Sequence, residues 1–292
     1  MASNAKPDID AVTGVETTGH EWDGIKELNK PLPKWWLYTF YVSIIWAIGY
    51  WIVYPAWPTL NDYTRGIWGY SQRATVTEEI KAARNAQAGF RDKLVKTPLA
   101  DVKKDADLLR FAMAGGAAAF QTNCAPCHGR GAQGFIGYPN LNDDDWIWGG
   151  TVEEIHQTIS HGIRWSKDKN TREGAMPRFG LDKLLEPADI DATAEYVLSL
   201  TGKSTDKAAV EKGGKIFAEQ CSTCHGEKGE GNQQMGAPSL KDNIWLYGSS
   251  KAQVVESIVT GRGGIMPSWA DRLDAPTVKS LAVYVHSLGG GK

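Results

Sequence analysis

Two short clusters hold all four cysteines of the chain: Cys124, Cys127 and His128 in "CAPCH", and Cys221, Cys224 and His225 in "CSTCH". Two thiols with two residues between them, and an imidazole directly after, suit three chemistries. They can shuttle electrons as a dithiol, supply ligands to zinc, or attach a haem covalently. A redox dithiol belongs in a strand–helix–strand setting and leaves the histidine without a task. Paired zinc knuckles stand about 15–20 residues apart, whereas 97 residues separate Cys124 from Cys221. Three ligands so close in sequence would also strain a zinc tetrahedron. Covalent haem attachment uses every group. The thiols add to the two vinyl groups, and the adjacent histidine reaches the iron from one face. No thiol is left over for a structural disulfide.

A haem iron held by His128 or His225 needs a sixth ligand from the opposite face. Met176 and Met266 occupy equivalent places, in "AMP" and "IMP"; Met176 is the candidate for the iron held by His128 and Met266 for that held by His225, each lying far enough beyond its histidine to wrap around a ring edge. Met113 and Met235 have no counterparts and read as packing or surface residues. His161 is the rival in the first copy, but its counterpart is Thr260, and an imidazolium at a helix end suits the helix dipole. His156 and His286 read as helix-face residues, and His20 lies in the N-terminal arm. Histidine–methionine ligation fills both axial positions and raises the reduction potential. The chemistry left is one-electron transfer, so no catalytic residue is expected in this chain.

The elements that must place these groups come in two copies. Gly116 and Phe120 before the first cluster match Gly213 and Phe217 before the second. "YPNL" matches "APSL", "WIWGG" matches "WLYGS", and "YVLSL" matches "YVHSL". Each copy reads as helical. Thr151–Glu154 and Ser250–Gln253 are capping boxes opening helices that end near Gly162 and Gly261. A last helix starts near Pro187 or Pro276. Units of this size are small for a stable core, and a porphyrin would fill the middle. The first copy carries nine additional residues before its methionine, including "RWSKDKNTRE", Arg164–Glu173. A solvated loop is its default reading; the alternative is that it touches a partner and makes the two sites inequivalent.

Upstream, "WWLYTFYVSIIWAIGYWIVYPAW", Trp35 to Trp57, has no charged residue. As a helix it covers about 35 Å, enough to cross a bilayer with some tilt. It is too long and too far from the N-terminus for a cleaved signal peptide. Lys26, Lys30 and Lys34 precede it, and Arg65 is the first basic residue after it. The positive-inside rule then places the N-terminus in the cytoplasm and the rest outside, in a bacterium the periplasm. Ser43 and Ala47 form a small-residue pair that would let another helix approach. Residues 58–107 join span to repeats, with Thr75–Glu78 as a capping box and a polar helix over 78–95. The formal net charge of −2 implies no polyanionic partner, hence no nucleic acid. The acidic run Asp143–Asp145 is a solvated face or a contact for a basic donor.

The expected architecture is all-α. A cytoplasmic arm (1–34), a transmembrane helix (35–57) and a periplasmic linker (58–107) precede two tandem domains, 108–203 and 204–292. Each of these resembles a class I cytochrome c domain. The resemblance implies that Gly116/Phe120 and Gly213/Phe217 pack against Tyr196 and Tyr284 of the last helix. It also implies that the carbonyls of Pro139 and Pro238 orient His128 and His225. "GHEWDGIKELNKPLPKWWLYTFYVSIIWAIGYWIVYPAWP" resembles the membrane anchor of the CcoP/FixP subunit family of cbb3-type cytochrome c oxidases. That resemblance implies two covalent haem c groups in a single-pass protein of the bacterial inner membrane. The implied partners are a catalytic haem–copper subunit, a mono-haem cytochrome subunit and a soluble or membrane-bound cytochrome c donor. The oxygen-reducing site would lie outside this chain. Three other readings stay open: an independent tethered di-haem carrier, a cytochrome subunit of a periplasmic dehydrogenase, and a di-haem peroxidase. The last needs an open or displaceable ligand, which two matched methionines argue against.

Overall fold

The computed structural model describes residues 8–204 and 206–289. The first seven residues of the expected arm and the last three of the second copy lie outside that range. The chain divides into two compact units at residues 85/86.

In the first unit the arm is not featureless. Strands β1 (Thr17–Trp22) and β2 (Ile25–Leu28) form an antiparallel hairpin. Asp23 and Gly24 turn it, at φ 49° and 83°. Asp-Gly is favoured where both central residues of a tight hairpin need positive φ. Helix α1 (Lys34–Val53) has 20 residues, with a mean hydropathy of 1.5 over its most apolar 18, and none of them is buried in protein. It stops short of the expected Trp57. Tyr54 precedes a proline and is extended, at φ −108° and ψ 163°, because the proline ring disfavours helical geometry before it. The helix's last carbonyls are not left bare. Ile67 and Trp68 donate backbone N–H groups to Ile52 and Val53.

Helix α2 (Gln72–Lys96) starts earlier than the capping box at Thr75 predicts. Ser71 caps it, its Oγ accepting from the Ala74 N–H, and Thr75 instead bonds back to the Ser71 carbonyl. The end of α2 belongs to the second unit and is no plain spacer. Leu94 is fully buried with Val102, Leu108, Ala112 and Val283. Lys279 Nζ donates to the carbonyls of Leu94, Val95 and Thr97, at 3.2, 2.8 and 2.8 Å.

The second unit continues with α3 (Ala106–Asn123), α4 (Ala125–His128), α5 (Val152–His161) and α6 (Pro187–Ser199). Their repeat-mates are α7 (Lys207–Gln220), α8 (Ser222–His225), α9 (Lys251–Thr260) and α10 (Ala275–Leu288). Both expected capping boxes are present, Thr151 with Glu154 and Ser250 with Gln253.

The packing crosses the copies. Helix α3 lies against α10, the last helix of the second copy, and α6 lies against α7. Phe120 meets Tyr284 at 5.5 Å between ring centroids, and Phe217 meets Tyr196 at 5.0 Å. The family resemblance, applied copy by copy, pairs each first helix with the last helix of its own copy; the structure exchanges them. The cause is the short connection Leu200–Asp206 between α6 and α7. So short a link keeps consecutive helices as antiparallel neighbours, so α7 takes the place on α6 and α3 is left to α10. The stretches 108–203 and 204–292 are therefore repeats in sequence, while each hydrophobic core draws on both. One core joins Phe120, Ile155 and Ile159 to Val278, Leu281 and Val285. The other joins Ile190, Ala194 and Val197 to Phe217, Val254 and Ile258.

Candidate haem sites

The two thiol–imidazole clusters lie on single helical turns that follow α3 and α7. Cys124 and Cys221 close the preceding helices, and their carbonyls accept from the N–H groups of His128 and His225. The second cysteine and the histidine follow the first cysteine by three and four residues, spacings that share one face of a helical turn. All four thiols are unpaired. Burial pushes the Cys124 and Cys221 thiols up to about 11, so both stay protonated. Burial also lowers the pKa of His128 and His225, which keeps each imidazole neutral, the form that binds a metal. Each ring is aimed by a backbone carbonyl. His128 Nδ1 donates to Pro139 O at 3.1 Å and His225 Nδ1 to Pro238 O at 3.0 Å. With Nδ1 engaged, Nε2 is the free coordinating atom.

The methionines are brought to these clusters crosswise, not in the expected pairing of Met176 with His128 and Met266 with His225. Met266 packs against the core that contains Cys124 and Phe120. Met176 packs against the core that contains Cys221 and Phe217. Backbone pairing enforces the exchange. Ile163 and Met266 swap N–H···O bonds at 2.9 and 3.0 Å, and the Met176 N–H donates to Arg262 O at 2.8 Å. Gly162 and Gly261 end α5 and α9 at φ 70° and 67°. A Cβ there would lie 2.3 Å from Met266 O and 2.4 Å from Met176 O, respectively. Only glycine fits both that backbone geometry and that approach.

The rival ligands are placed elsewhere. His161 Nδ1 bonds Asp168 Oδ2 at 3.0 Å and fastens the inserted loop. Met113 packs beside Leu108 and Val102. Met235 is 41% exposed. In the acidic run only Asp144 is exposed. Asp145 is pushed up to about 6 by burial, with the charges of Asp242 and Asp143 adding to it. Asp143 is raised for the same first reason. Asp143 and Asp145 are thus half-buried with the charge of the second copy's Asp242 near them, and Asp144 is solvated.

Sequence reasoning missed a matched pair of arginines, each four residues before its methionine. Arg172 stands over the Trp148 ring at 5.5 Å and bonds Thr158 Oγ1. Arg262 stands over the Tyr247 ring at 4.2 Å and bonds Ser257 Oγ. The signal was present as Arg-x-x-x-Met in both copies, beyond the "AMP" and "IMP" used to align them.

Comparison with known proteins decides the family. Residues 14–61 match the N-terminal domain of cytochrome oxidase-cbb3, FixP. Residues 111–197 and 208–285 each match cytochrome c oxidase, cbb3-type, subunit III. The cbb3-type cytochrome c oxidase subunit FixP of Azorhizobium caulinodans is 53% identical over 285 residues, 97% of this chain and 96% of that one. FixP of a Bradyrhizobium species is 54% identical over 98% of each chain. The CcoP subunit of Cereibacter sphaeroides is 52% identical over 94% of this chain and 95% of its own. The chain belongs to the FixP/CcoP family of cbb3-type cytochrome c oxidase subunits. It is a haem c-binding electron carrier within an oxidoreductase complex, and α1 suits a membrane anchor.

Proposed function

We propose that this chain carries two covalent haem c groups and relays electrons toward the oxygen-reducing centre of a cbb3-type oxidase. Cys124 and Cys127 would hold one haem, with His128 and Met266 on its iron. Cys221 and Cys224 would hold the other, with His225 and Met176. The observation that carries this reading is the matched pair of sites: unpaired thiols, a carbonyl-aimed histidine and a methionine in each core. The donor set fits haem c in both. Among the described residues, buried Trp245 Nε1 has no protein acceptor. Its ring packs on the Cys221 core, where a haem carboxylate would supply one.

When bound, the group would supply one-electron chemistry. The chain's residues do the rest. The proline carbonyls aim the imidazoles, and the methionines would hold the group together with them and keep water and oxygen from it. The cores around Phe120 and Phe217 exclude solvent and so limit the reorganisation that accompanies each transfer. Lys26 and Lys30 before α1, Lys34 at its start and no basic residue after it until Arg65 support a cytoplasmic N-terminus and periplasmic haem units. The partners in this reading are the haem–copper subunit, the mono-haem subunit and a cytochrome c donor.

Mild-detergent purification of the tagged chain tests the assignment. Co-isolation with a haem–copper subunit, two haems per chain by pyridine haemochrome and oxygen reduction driven by reduced cytochrome c are expected. Isolation alone, or with a dehydrogenase, contradicts it.

A further inference from the structure

A polar insertion reads by default as a solvated loop, yet its first basic side chain turns inward. Arg164 sits at φ 51°, held by its backbone N–H on Arg172 O at 2.7 Å. Its Nε donates to Gly264 O at 2.7 Å, and its Nη1 donates to Gly174 O. Those two glycines are repeat-mates: each lies two residues before its methionine, Gly174 before Met176 and Gly264 before Met266. The guanidinium also stands over the Trp148 ring at 5.9 Å. Among the described residues it has no carboxylate within ion-pair distance, although it is partly buried. At the position matching Arg164 after its helix end, the second copy has Gly263, so nothing there duplicates the contact.

We infer that Arg164 is a positioning residue shared by both methionine segments, coupling the axial ligation of the two haems through one side chain. The inference rests on the methionine ligation proposed above. The planar guanidinium makes two hydrogen bonds in fixed directions, so it sets the spacing of the two carbonyls and of the backbone leading to each sulfur. Bonds from an ionised donor are stronger than neutral ones. The charge has a second effect. A cation close to both sites, unneutralised by a carboxylate, favours the state of each iron that carries one more electron. Both effects raise both potentials, since thioether ligation does so as well. The nine additional residues in the first copy thus serve both sites.

The test uses the full-length, haem-loaded chain in detergent, with three variants: Arg164→Gln, Arg164→Lys and, as a control on the same loop, Lys169→Ala. The readouts are the sulfur-to-iron charge-transfer band of each ferric haem and its reduction potential. Haem content per chain reports assembly. In Arg164→Gln we expect the bound-to-displaced methionine ratio to fall by about tenfold at both haems, with both potentials lowered. Arg164→Lys keeps the charge but cannot span both carbonyls. It should retain more of the potential than Arg164→Gln while still weakening both bands, and it decides the matter if Arg164→Gln fails to load haem. Lys169→Ala should match the parent. Unchanged bands, a change at one haem only, or an equal loss in Lys169→Ala would each overturn the inference. Failure of the underlying ligation is read separately, in Met176→Ala and Met266→Ala, where neither haem would then change.

Discussion

Replacing Cys124 and Cys127 by alanine should lower covalent haem from two to one per chain and drop cytochrome c-driven oxygen consumption to background. The thiols have no other partner that would explain them, since all four are unpaired in the fold. Cys124 also packs against the core built on Phe120, Ile155 and Leu281. Loss of its haem would leave that small core without its largest apolar component. Units of this size rarely bury enough surface to stand alone. The variant should therefore also unfold at lower temperature, with the loss falling on α3, α5 and α10. The same substitution at Cys221 and Cys224 should give the mirror result, with the loss on α6, α7 and α9. Pyridine haemochrome per chain, oxygen consumption and hydrogen exchange resolved by helix check all three. Two haems remaining after the first substitution would contradict the assignment of the motif.

Gly116→Val and Gly213→Val should be the most damaging apolar substitutions outside the haem motifs. A Cβ on Gly116 would lie 2.3 Å from Ser280 O and 2.5 Å from Tyr284 Cβ. On Gly213 it would lie 2.0 Å from Ala192 O. Both clashes are with backbone, which cannot swing aside as a flexible side chain can. Overpacking of a helix crossing costs about 3 kcal/mol at its upper range, which lowers the midpoint by roughly 6–12 °C for a unit of this size. The partners matter more than the magnitude. Gly116 belongs to the first copy and meets residues of the second, while Gly213 does the reverse. Gly116→Val should thus loosen α10, and Gly213→Val should loosen α6, as read by helix-resolved hydrogen exchange. Protection lost from α6 in Gly116→Val would contradict the exchange of halves.

Much of this was legible before any coordinates. The Cys-x-x-Cys-His clusters are read within a single turn, and each forms the helical turn that its spacing implies. The two capping boxes, the glycines that end α5 and α9, and the prolines that open the last helices are equally local, and each is in place. The hairpin at Asp23–Gly24 was legible too, but its dipeptide stood inside a segment read for charge and motif. The start of α2 was displaced because Ser71 and Thr75 both offer a capping hydroxyl, and Ser71 captures one more turn.

What sequence alone did not yield was non-local. A repeat tells which segments are equivalent, not which copy supplies the partner. That choice turned on the length of Leu200–Asp206, which keeps α7 against α6. Once those two helices pack, α3 must take α10, and the methionine segments follow their helices across. Arg164 escaped notice for a related reason. A basic residue in a polar insertion reads as solvated, and its two acceptors lie 10 and 100 residues away.

In the proposed arrangement each haem takes its histidine from one copy and its methionine from the other. It is tested most directly in chains that carry a single haem. In a Cys221→Ala/Cys224→Ala chain only the haem on Cys124, Cys127 and His128 remains. Adding Met266→Ala should abolish that haem's sulfur-to-iron charge-transfer band, while adding Met176→Ala should leave it intact. Loss of the band in Met176→Ala, with Met266→Ala unaffected, would contradict it.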